Sequence, residues 1–398
     1  MTLTLLFDLD DTLLKNDIDT FLPAYLKLLG KHMQSFVAPE KMVRELLTAT
    51  GKMVSNNNAA FSLEQAFDSA FYAAIGHSKA DLRATLEQFY DDVYPGLQPL
   101  TGVIPGAAEV VEQAANKGHT LVIATNPLFP RKAILHRLRW ADMAPEHTPF
   151  SLISDFETFH FAKISKSYYP EFLLNLGWNA EPVLMIGDSL ERDIFPAQKA
   201  GLPVFWLRSS EQVTPEADSI PQGTFEDLRR WIEEADCSTL VPNFANPEAL
   251  LVALPASLAV LHSLTLRTPA AQWTVRPASG EWALTEILCH LRDVEREVNL
   301  PRFQTALKDE NAFIAGQDTD PWAEQRDYIH QDGLQAFQDY AAARLQLISL
   351  LKTLRPEQWD RKVRHTIFGP TTLHELASFM LEHDQSHVRQ ALATIKRL

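Results

Sequence analysis

The acidic turn Asp8-Leu9-Asp10-Asp11-Thr12 follows directly on an apolar run, Leu3 to Phe7. On an extended backbone, side chains two residues apart start on the same side, so Asp8 and Asp10 begin close together. Burying two like charges costs free energy unless a cation neutralises them or they share a proton. The turn therefore predicts a catalytic or cation-binding site at the end of a buried strand, in preference to a solvent-exposed loop.

Alternating strands and helices are predicted to position this turn. Apolar runs at 120–124, 150–154, 183–186 and 203–207 indicate strands, and helical segments separate them. This order predicts a parallel sheet with helices on both faces, whose ligands bind beyond the carboxyl ends of the strands. Polar side chains follow those ends or lie between them: Thr12, Thr125, Asn126, Lys163, Asp188 and Asp193.

These segments resemble the four motifs of the haloacid dehalogenase (HAD) superfamily over roughly residues 1–235. Asp8 to Thr12 resembles motif I, Thr125-Asn126 motif II, and Gly187 to Asp193 motif IV. Motif III is a lysine that proline usually follows. Here Ile164 follows Lys163, and Lys166 is an alternative, although the spacing to motif IV favours Lys163. The resemblance implies a doubly wound α/β core at 1–15 and 99–235, with a helical C1 cap at 16–98.

The resemblance also implies a chemistry, that of a phosphatase acting on a small phosphorylated metabolite. Asp8 would be the nucleophile and Asp10 the general acid and base, and the third-position acid favours phosphate ester hydrolysis over dehalogenation. The implied catalytic residues are Asp8, Asp10, Thr125 and Lys163, and the implied phosphate-binding residues are Thr12, Thr125, Asn126 and Lys163. The implied Mg²⁺ site comprises Asp8, the backbone carbonyl of Asp10, Asp188 and, beside them, Asp193.

Beyond a predicted linker at 236–247, strand signals nearly vanish, and residues 248–398 predict a four-helix bundle. The predicted helices are 248–264, 283–306, 333–354 and 371–396. His383 and His387 lie one turn apart on the inward face of the fourth helix, and His290 lies on that of the second. Three inward histidines can form a metal site with an open position. The alternative is that His383 and His387 are part-buried helix residues bonded to neighbours.

Residues 282–291 and 382–387 resemble the second and fourth helices of the DinB-like metal-binding fold. The resemblance implies a divalent transition metal, zinc or nickel, at His290, His383 and His387. Some members of that family transfer thiols such as mycothiol or bacillithiol, so a metal-dependent thiol transferase is one alternative for the main activity. Others are a non-catalytic bundle that pairs two chains into a homodimer, and a 2-haloacid dehalogenase.

Length, composition and charge limit the class of protein to which the chain can belong. The chain has 398 residues, a formal charge of −15 and 46% hydrophobic residues, which predicts a globular protein of two or three domains. The acidic balance argues against a nucleic-acid or anionic membrane partner. Two cysteines offer no disulfide framework, and no run of residues is expected to span a bilayer. We therefore expect a cytoplasmic protein.

Overall fold

A computed structural model describes residues 2–208, 217–244 and 246–398. Met1, residues 209–216 and Ala245, which falls in the predicted linker, lie outside the described residues. The chain divides into two compact units. The first comprises Met1–Phe172 and Asn179–Pro242, and the second comprises Leu173–Trp178 and Asn243–Leu398.

A parallel sheet forms the centre of the first unit, as predicted. The strands in this part of the chain are β1 (Thr4–Phe7), β2 (Leu14–Lys15), β3 (Gly102–Val103), β4 (Thr120–Ile123), β5 (Phe150–Ile153), β6 (Val183–Gly187), β7 (Val204–Leu207) and β8 (Gln222–Gly223). Six of them pair in the order β5-β4-β1-β6-β7-β8, whereas β2 and β3 form a separate antiparallel pair. Because the strand order reverses at β1, the carboxyl ends of β1, β4 and β6 border the crevice where such sheets bind ligands.

The helices in this part of the chain either cover the sheet or form the predicted insert. They are α1 (Ile18–His32), α2 (Pro39–Val54), α3 (Leu63–Ile75), α4 (Lys79–Gln88), α5 (Ala107–Asn116), α6 (Arg131–Trp140), α7 (Tyr168–Asn175), α8 (Phe195–Lys199) and α9 (Phe225–Glu234). The first four lie between β2 and β3, followed by a π-helix and a 3-10 helix over 89–100. Leu5, Leu6 and Phe7 of β1 are fully buried, as expected for a strand covered on both faces.

The second unit is the predicted four-helix bundle. Its helices are α10 (Pro247–Arg267), α11 (Leu284–Val294), α12 (Leu300–Lys308), α13 (Trp322–Gln325), α14 (Gly333–Lys352), α15 (Pro356–Trp359) and α16 (Leu373–Lys396). The π-helix Glu295–Asn299 joins α11 to α12, so these segments form one long element. The predicted capping box of α16 is confirmed: the Thr372 hydroxyl accepts the Glu375 N–H, and the Glu375 carboxylate accepts the Thr372 N–H.

Two expectations for the second half of the chain were wrong. A small sheet is present, with β9 (Phe313–Ile314) parallel and β11 (Gly369–Thr372) antiparallel to β10 (Lys362–His365). Burial alternates along β10, but four residues are too few for the alternation to stand out in the sequence.

The helix α10 is, contrary to expectation, long and apolar enough to cross a membrane. It has 21 residues, and an 18-residue window reaches a mean hydropathy of 2.0. However, 83% of that window is buried inside the protein, where α10 packs against α14 and α16. A helix that is apolar on all sides can be the core of a bundle, and this burial explains its composition.

Candidate functional site

A buried lysine links two carboxylates at the carboxyl edge of the sheet. Asp8 directly follows β1 and is 7% exposed, and Lys163, in the loop between β5 and α7, is 3% exposed. Lys163 Nζ lies 2.6 Å from Asp8 Oδ1 and 2.6 Å from Asp193 Oδ1. Lys166, the alternative motif III lysine, is exposed. The geometry therefore favours Lys163 as the lysine of this cluster.

The carboxylates of Asp8, Asp188 and Asp193 converge. One ligand oxygen from each lies within 4.8 Å of the other two. Thr12 fixes Asp188: its hydroxyl lies 3.1 Å from Asp188 Oδ1, to which it donates, and accepts the Asp188 N–H at 3.1 Å. Gly187 makes the close approach possible, because a Cβ at that position would lie 2.4 Å from Asp193 Oδ2.

Crowding of these buried charges shifts their titration. Burial, with the charge of Asp193, raises the pKa of Asp8 to about 8 despite the opposing effect of Lys163, and the same two causes raise the pKa of Asp188 to about 6. Burial lowers the pKa of Lys163, but the Asp193 and Asp8 carboxylates raise it more, so the ammonium form is retained. A divalent cation would relieve the remaining repulsion, and carboxylate oxygens are the ligands that Mg²⁺ prefers.

Thr125 and Asn126 follow β4 beside this cluster. The backbone carbonyl of Thr125 accepts hydrogen bonds from the Ser154 hydroxyl and the Tyr168 hydroxyl, both at 2.7 Å. Asn126 Oδ1 accepts the Lys163 N–H at 3.1 Å. Thr125 and Asn126, which are predicted to bind phosphate, therefore connect the end of β4 to neighbouring segments, including the loop that carries Lys163.

The three predicted histidines meet in the second unit. His290 on α11 is 2% exposed, whereas His383 and His387 on α16 are half-buried. One ring nitrogen from each lies within 4.8 Å of the others, and His290 Nε2 is 3.2 Å from His383 Nε2. His387 Nδ1 contacts Gln390 Oε1 at 2.8 Å, which leaves its Nε2 for a ligand.

These histidines have the protonation state that a metal requires. Burial lowers the pKa of His290 to about 3 and the pKa values of His383 and His387 to about 4. The rings are therefore neutral near pH 7, which is the form that coordinates a metal ion. The Trp282 ring stacks on His387, with 5.8 Å between centroids and 3° between planes, and limits its rotation.

Comparison with protein families identifies both halves. Residues 2–201 match the model of the haloacid dehalogenase-like hydrolases. The chain belongs to this family. Residues 253–391 match the model of the DinB superfamily, so the hydrolase is fused to a DinB-like helical domain. None of the curated proteins compared with the chain matches it.

Solved structures similar to this hydrolase include HAD-type proteins and a four-helix-bundle protein. A HAD phosphatase from Thermococcus onnurineus is 16% identical, with coverage of 58% of this chain and 98% of that one and a TM-score of 0.37. A 2-haloacid dehalogenase from Pseudomonas syringae pv. Tomato is 21% identical over 58% and 100%, with a TM-score of 0.40. YfiT from Bacillus subtilis, described as a probable metal-dependent hydrolase with a four-helix bundle, is 17% identical over 50% and 97%, with a TM-score of 0.35.

Asp10 pairs with a residue that the sequence did not single out. Arg137 on α6 is 1% exposed, and its Nη1 donates to Asp10 Oδ2 at 2.5 Å. Asn16 Nδ2 donates to Asp10 Oδ1 at 2.8 Å. The available signal was an arginine within the buried stripe of α6, between Ile134 and Leu138.

A second buried arginine crosses the DinB-like domain. Arg344 on α14 is fully buried, and its Nε and Nη2 donate to the two oxygens of Glu295 at 2.7 Å. It also donates to both oxygens of Asp384. Glu295 adjoins α11, which carries His290, and Asp384 follows His383 on α16. Arg344 therefore connects the two helices that carry the histidines.

Proposed function

We propose that the hydrolase half is a Mg²⁺-dependent phosphatase that acts on a small phosphorylated metabolite in the cytoplasm. The observation that carries this proposal is the buried Lys163 ammonium between Asp8 and Asp193, with Asp188 close by. A lysine and a divalent cation at one strand edge can together bind a phosphate dianion despite the acidic balance of the chain.

The first step would transfer the phosphoryl group to the protein. An Asp8 carboxylate oxygen attacks phosphorus, the bond from phosphorus to the ester oxygen breaks, and an aspartyl-phosphate forms. Asp10 donates a proton to the leaving oxygen, which departs as an alcohol. Lys163 and Thr125 would hold the phosphoryl oxygens during this transfer. Bound Mg²⁺, held by Asp8, Asp188 and the Asp10 carbonyl, would supply charge neutralisation for the phosphate.

The second step would release inorganic phosphate. Asp10, now a carboxylate, accepts a proton from water, whose oxygen attacks phosphorus and frees Asp8. In both steps Asp10 must reach the substrate, so it must exchange the hydrogen bonds that Arg137 and Asn16 make to it. The helical insert beside the site is suited to excluding other water while this happens.

Replacing Asp10 with asparagine tests this reaction against dehalogenation. The amide would retain a hydrogen-bond acceptor but could not carry the proton, so phosphate release from p-nitrophenyl phosphate with Mg²⁺ should fall by about 10²–10⁴-fold. Chloride release from 2-chloropropionate should be absent in both the parent protein and the Asp10→Asn variant. Chloride release that survives Asp10→Asn would instead identify a dehalogenase.

We also propose that the DinB-like half binds a divalent transition metal, zinc or nickel, at His290, His383 and His387. Three neutral imidazoles converging within 4.8 Å support this assignment. Each of His290→Ala and His383→Ala should remove this metal from the full-length protein, measured as metal equivalents per chain. The control is His330→Ala, since the side chain of His330 is 77% exposed. Unchanged metal content in both variants would disprove the site.

A further inference from the structure

A buried carboxylate that the proposed mechanism does not use binds the segment that precedes Lys163. Glu171 on α7 is fully buried, and its carboxylate accepts the His160 N–H at 3.0 Å and the Phe161 N–H at 3.3 Å. Its Oε1 also lies 2.8 Å from His160 Nδ1. Residues 159–163 lie outside the helices and strands, so Glu171 supplies acceptors that a sheet would otherwise provide.

The helical insert binds the carbonyl groups of the same segment. Asn56, in the loop between α2 and α3, donates through Nδ2 to the His160 carbonyl at 2.9 Å. The first N–H groups of a helix have no acceptor within the helix, and in α3 the Leu63 N–H donates to the Phe159 carbonyl at 2.8 Å. The segment is therefore held by α7 through its N–H groups and by the insert through its carbonyls.

The position of the Lys163 ammonium depends on this segment. A lysine carries its charge on a flexible four-carbon stem, so the charge is well placed only if the backbone below it is fixed. The Lys163 N–H donates to Asn126 Oδ1, and the two residues bound by Glu171 end only two positions earlier in the chain. The contacts of Nζ with Asp8 and Asp193, both 2.6 Å long, are made from this fixed backbone.

We propose that Glu171 and Asn56 are positioning residues for Lys163, which they place by fixing residues 159–161 from α7 and from the helical insert. Both act through the backbone that leads to the lysine. The consequence for phosphate rests on the proposed function, in which Lys163 holds the phosphoryl oxygens, whereas the placement of the ammonium does not. The insert would then contribute to the phosphate site through its contact with this segment as well as by excluding water.

Acetylation of Lys163 tests the placement in the full-length protein without relying on catalytic activity. In the parent the amine is buried and kept protonated by the two carboxylates beside it, so acetic anhydride should modify it slowly. Glu171→Ala should raise this rate by about tenfold or more, because two backbone N–H groups lose their acceptor and the segment opens. Exposed Lys166 is the internal reference, and amide protection in 120–123 reports whether the sheet stays folded.

Glu171→Gln separates hydrogen bonding from simple loss of volume. Burial raises the pKa of Glu171 and lowers the pKa of His160 to about 3, which favours an uncharged pair. Glutamine preserves such a pair, since its amide can accept the backbone N–H groups and donate to His160 Nδ1. The acetylation rate of Lys163 in Glu171→Gln should therefore stay within about twofold of the parent.

Asn56→Ala tests the contact from the insert and remains informative if Glu171→Ala does not fold. It removes the side-chain donor to the His160 carbonyl, and the acetylation rate of Lys163 should rise by about threefold or more. The matched control is Asn57→Ala in the same loop. The Asn57 side chain is exposed and donates to the Ser55 carbonyl within that loop, so its loss should leave the rate unchanged.

Phosphate kinetics then measure the consequence for the proposed reaction. In Glu171→Ala, kcat/KM for p-nitrophenyl phosphate should fall by about 10–100-fold, and the inhibition constant of inorganic phosphate should rise, because Lys163 would bind both. A merely structural role would lower Tm but leave both constants unchanged for the folded protein.

The results distinguish failure of the positioning role from failure of the proposed function. Unchanged acetylation of Lys163 in both alanine variants would overturn the positioning role, as would a Glu171→Gln variant as reactive as Glu171→Ala. Faster acetylation with unchanged kinetic constants in an active phosphatase would overturn it too. A parent that releases no phosphate would instead disprove the phosphatase, and the acetylation rates would still decide how Lys163 is placed.

Discussion

Replacing Asp8 with asparagine should reduce phosphate release from p-nitrophenyl phosphate by about 10⁴-fold or more, because the amide cannot form the acyl phosphate. In the proposed mechanism covalent catalysis depends on the Asp8 carboxylate, whereas the loss of Thr125 or Lys163 would still leave a nucleophile in place. The measurement is steady-state phosphate release with saturating Mg²⁺. Rapid quenching of the parent should in addition trap a phosphorylated chain that Asp8→Asn lacks.

Asp8→Asn should leave the fold intact. The substitution is isosteric, it removes one of three crowded carboxylates, and Lys163 keeps its 2.6 Å contact with Asp193. A matched control is Asp11→Asn in the same turn. Asp11 has a positive φ of 60°, which asparagine tolerates, and its Oδ1 accepts the Asn16 N–H, which an amide oxygen can also accept. Undiminished turnover in Asp8→Asn, or equal losses in both variants, would contradict the mechanism.

The sequence allowed a prediction of those parts of the candidate site that the topology of a parallel sheet determines. Asp8, Thr125 and Asp188 each follow an apolar run, and the rule that strand carboxyl ends meet at one edge suffices to bring them together. Lys163 is different, because it lies in an irregular loop where no periodicity applies. Spacing favoured it over Lys166, but only burial of one lysine and exposure of the other separated them.

Partners that come from distant helices could not be predicted in this way. Arg137 reaches Asp10 across 127 residues of sequence, and Arg344 reaches Glu295 across 49. Periodicity places an arginine on a buried face but does not say which carboxylate it meets, since that depends on how helices pack.

The histidines show what helical periodicity can predict. His383 and His387 share a face because they are four residues apart, and the capping box at Thr372 correctly placed the start of their helix. The π-helix Glu295–Asn299 was not predicted, because it changes the turn within a segment that still reads as one helix. This π-helix also carries Glu295. The π-helix and the ion pair between Glu295 and Arg344, neither of which was predicted, therefore occur at the same position in the chain.

Replacing Arg344 with methionine should destabilise the DinB-like domain by about 3–5 kcal/mol, because Glu295 and Asp384 would remain buried without a countercharge. Both carboxylates are fully buried, and together they accept four hydrogen bonds from the guanidinium. Hydrogen exchange measured by mass spectrometry reports on this domain separately from the first unit. Amides in 284–308 and 373–396 should lose protection, while those in 120–123 and 183–187 should keep it.

The matched control is Arg296→Met, which breaks an ion pair with Asp339 whose members are 56% and 36% exposed and should cost less than about 1 kcal/mol. Adding Glu295→Gln and Asp384→Asn to Arg344→Met removes the stranded charges and should restore part of the protection. No loss of protection in Arg344→Met would mean that water reaches the carboxylates.

The same arginine should control the proposed metal centre without touching it. Arg344 connects the element that carries His290 to the helix that carries His383, so its loss lets the ligands separate. Zinc affinity of Arg344→Met should therefore fall about 10–100-fold, the range typical for residues that orient metal ligands. The triple variant should recover protection more than zinc affinity, because amides relieve the charge but do not cross-link the helices. Equal recovery of both would show that Arg344 acts on the centre only through stability.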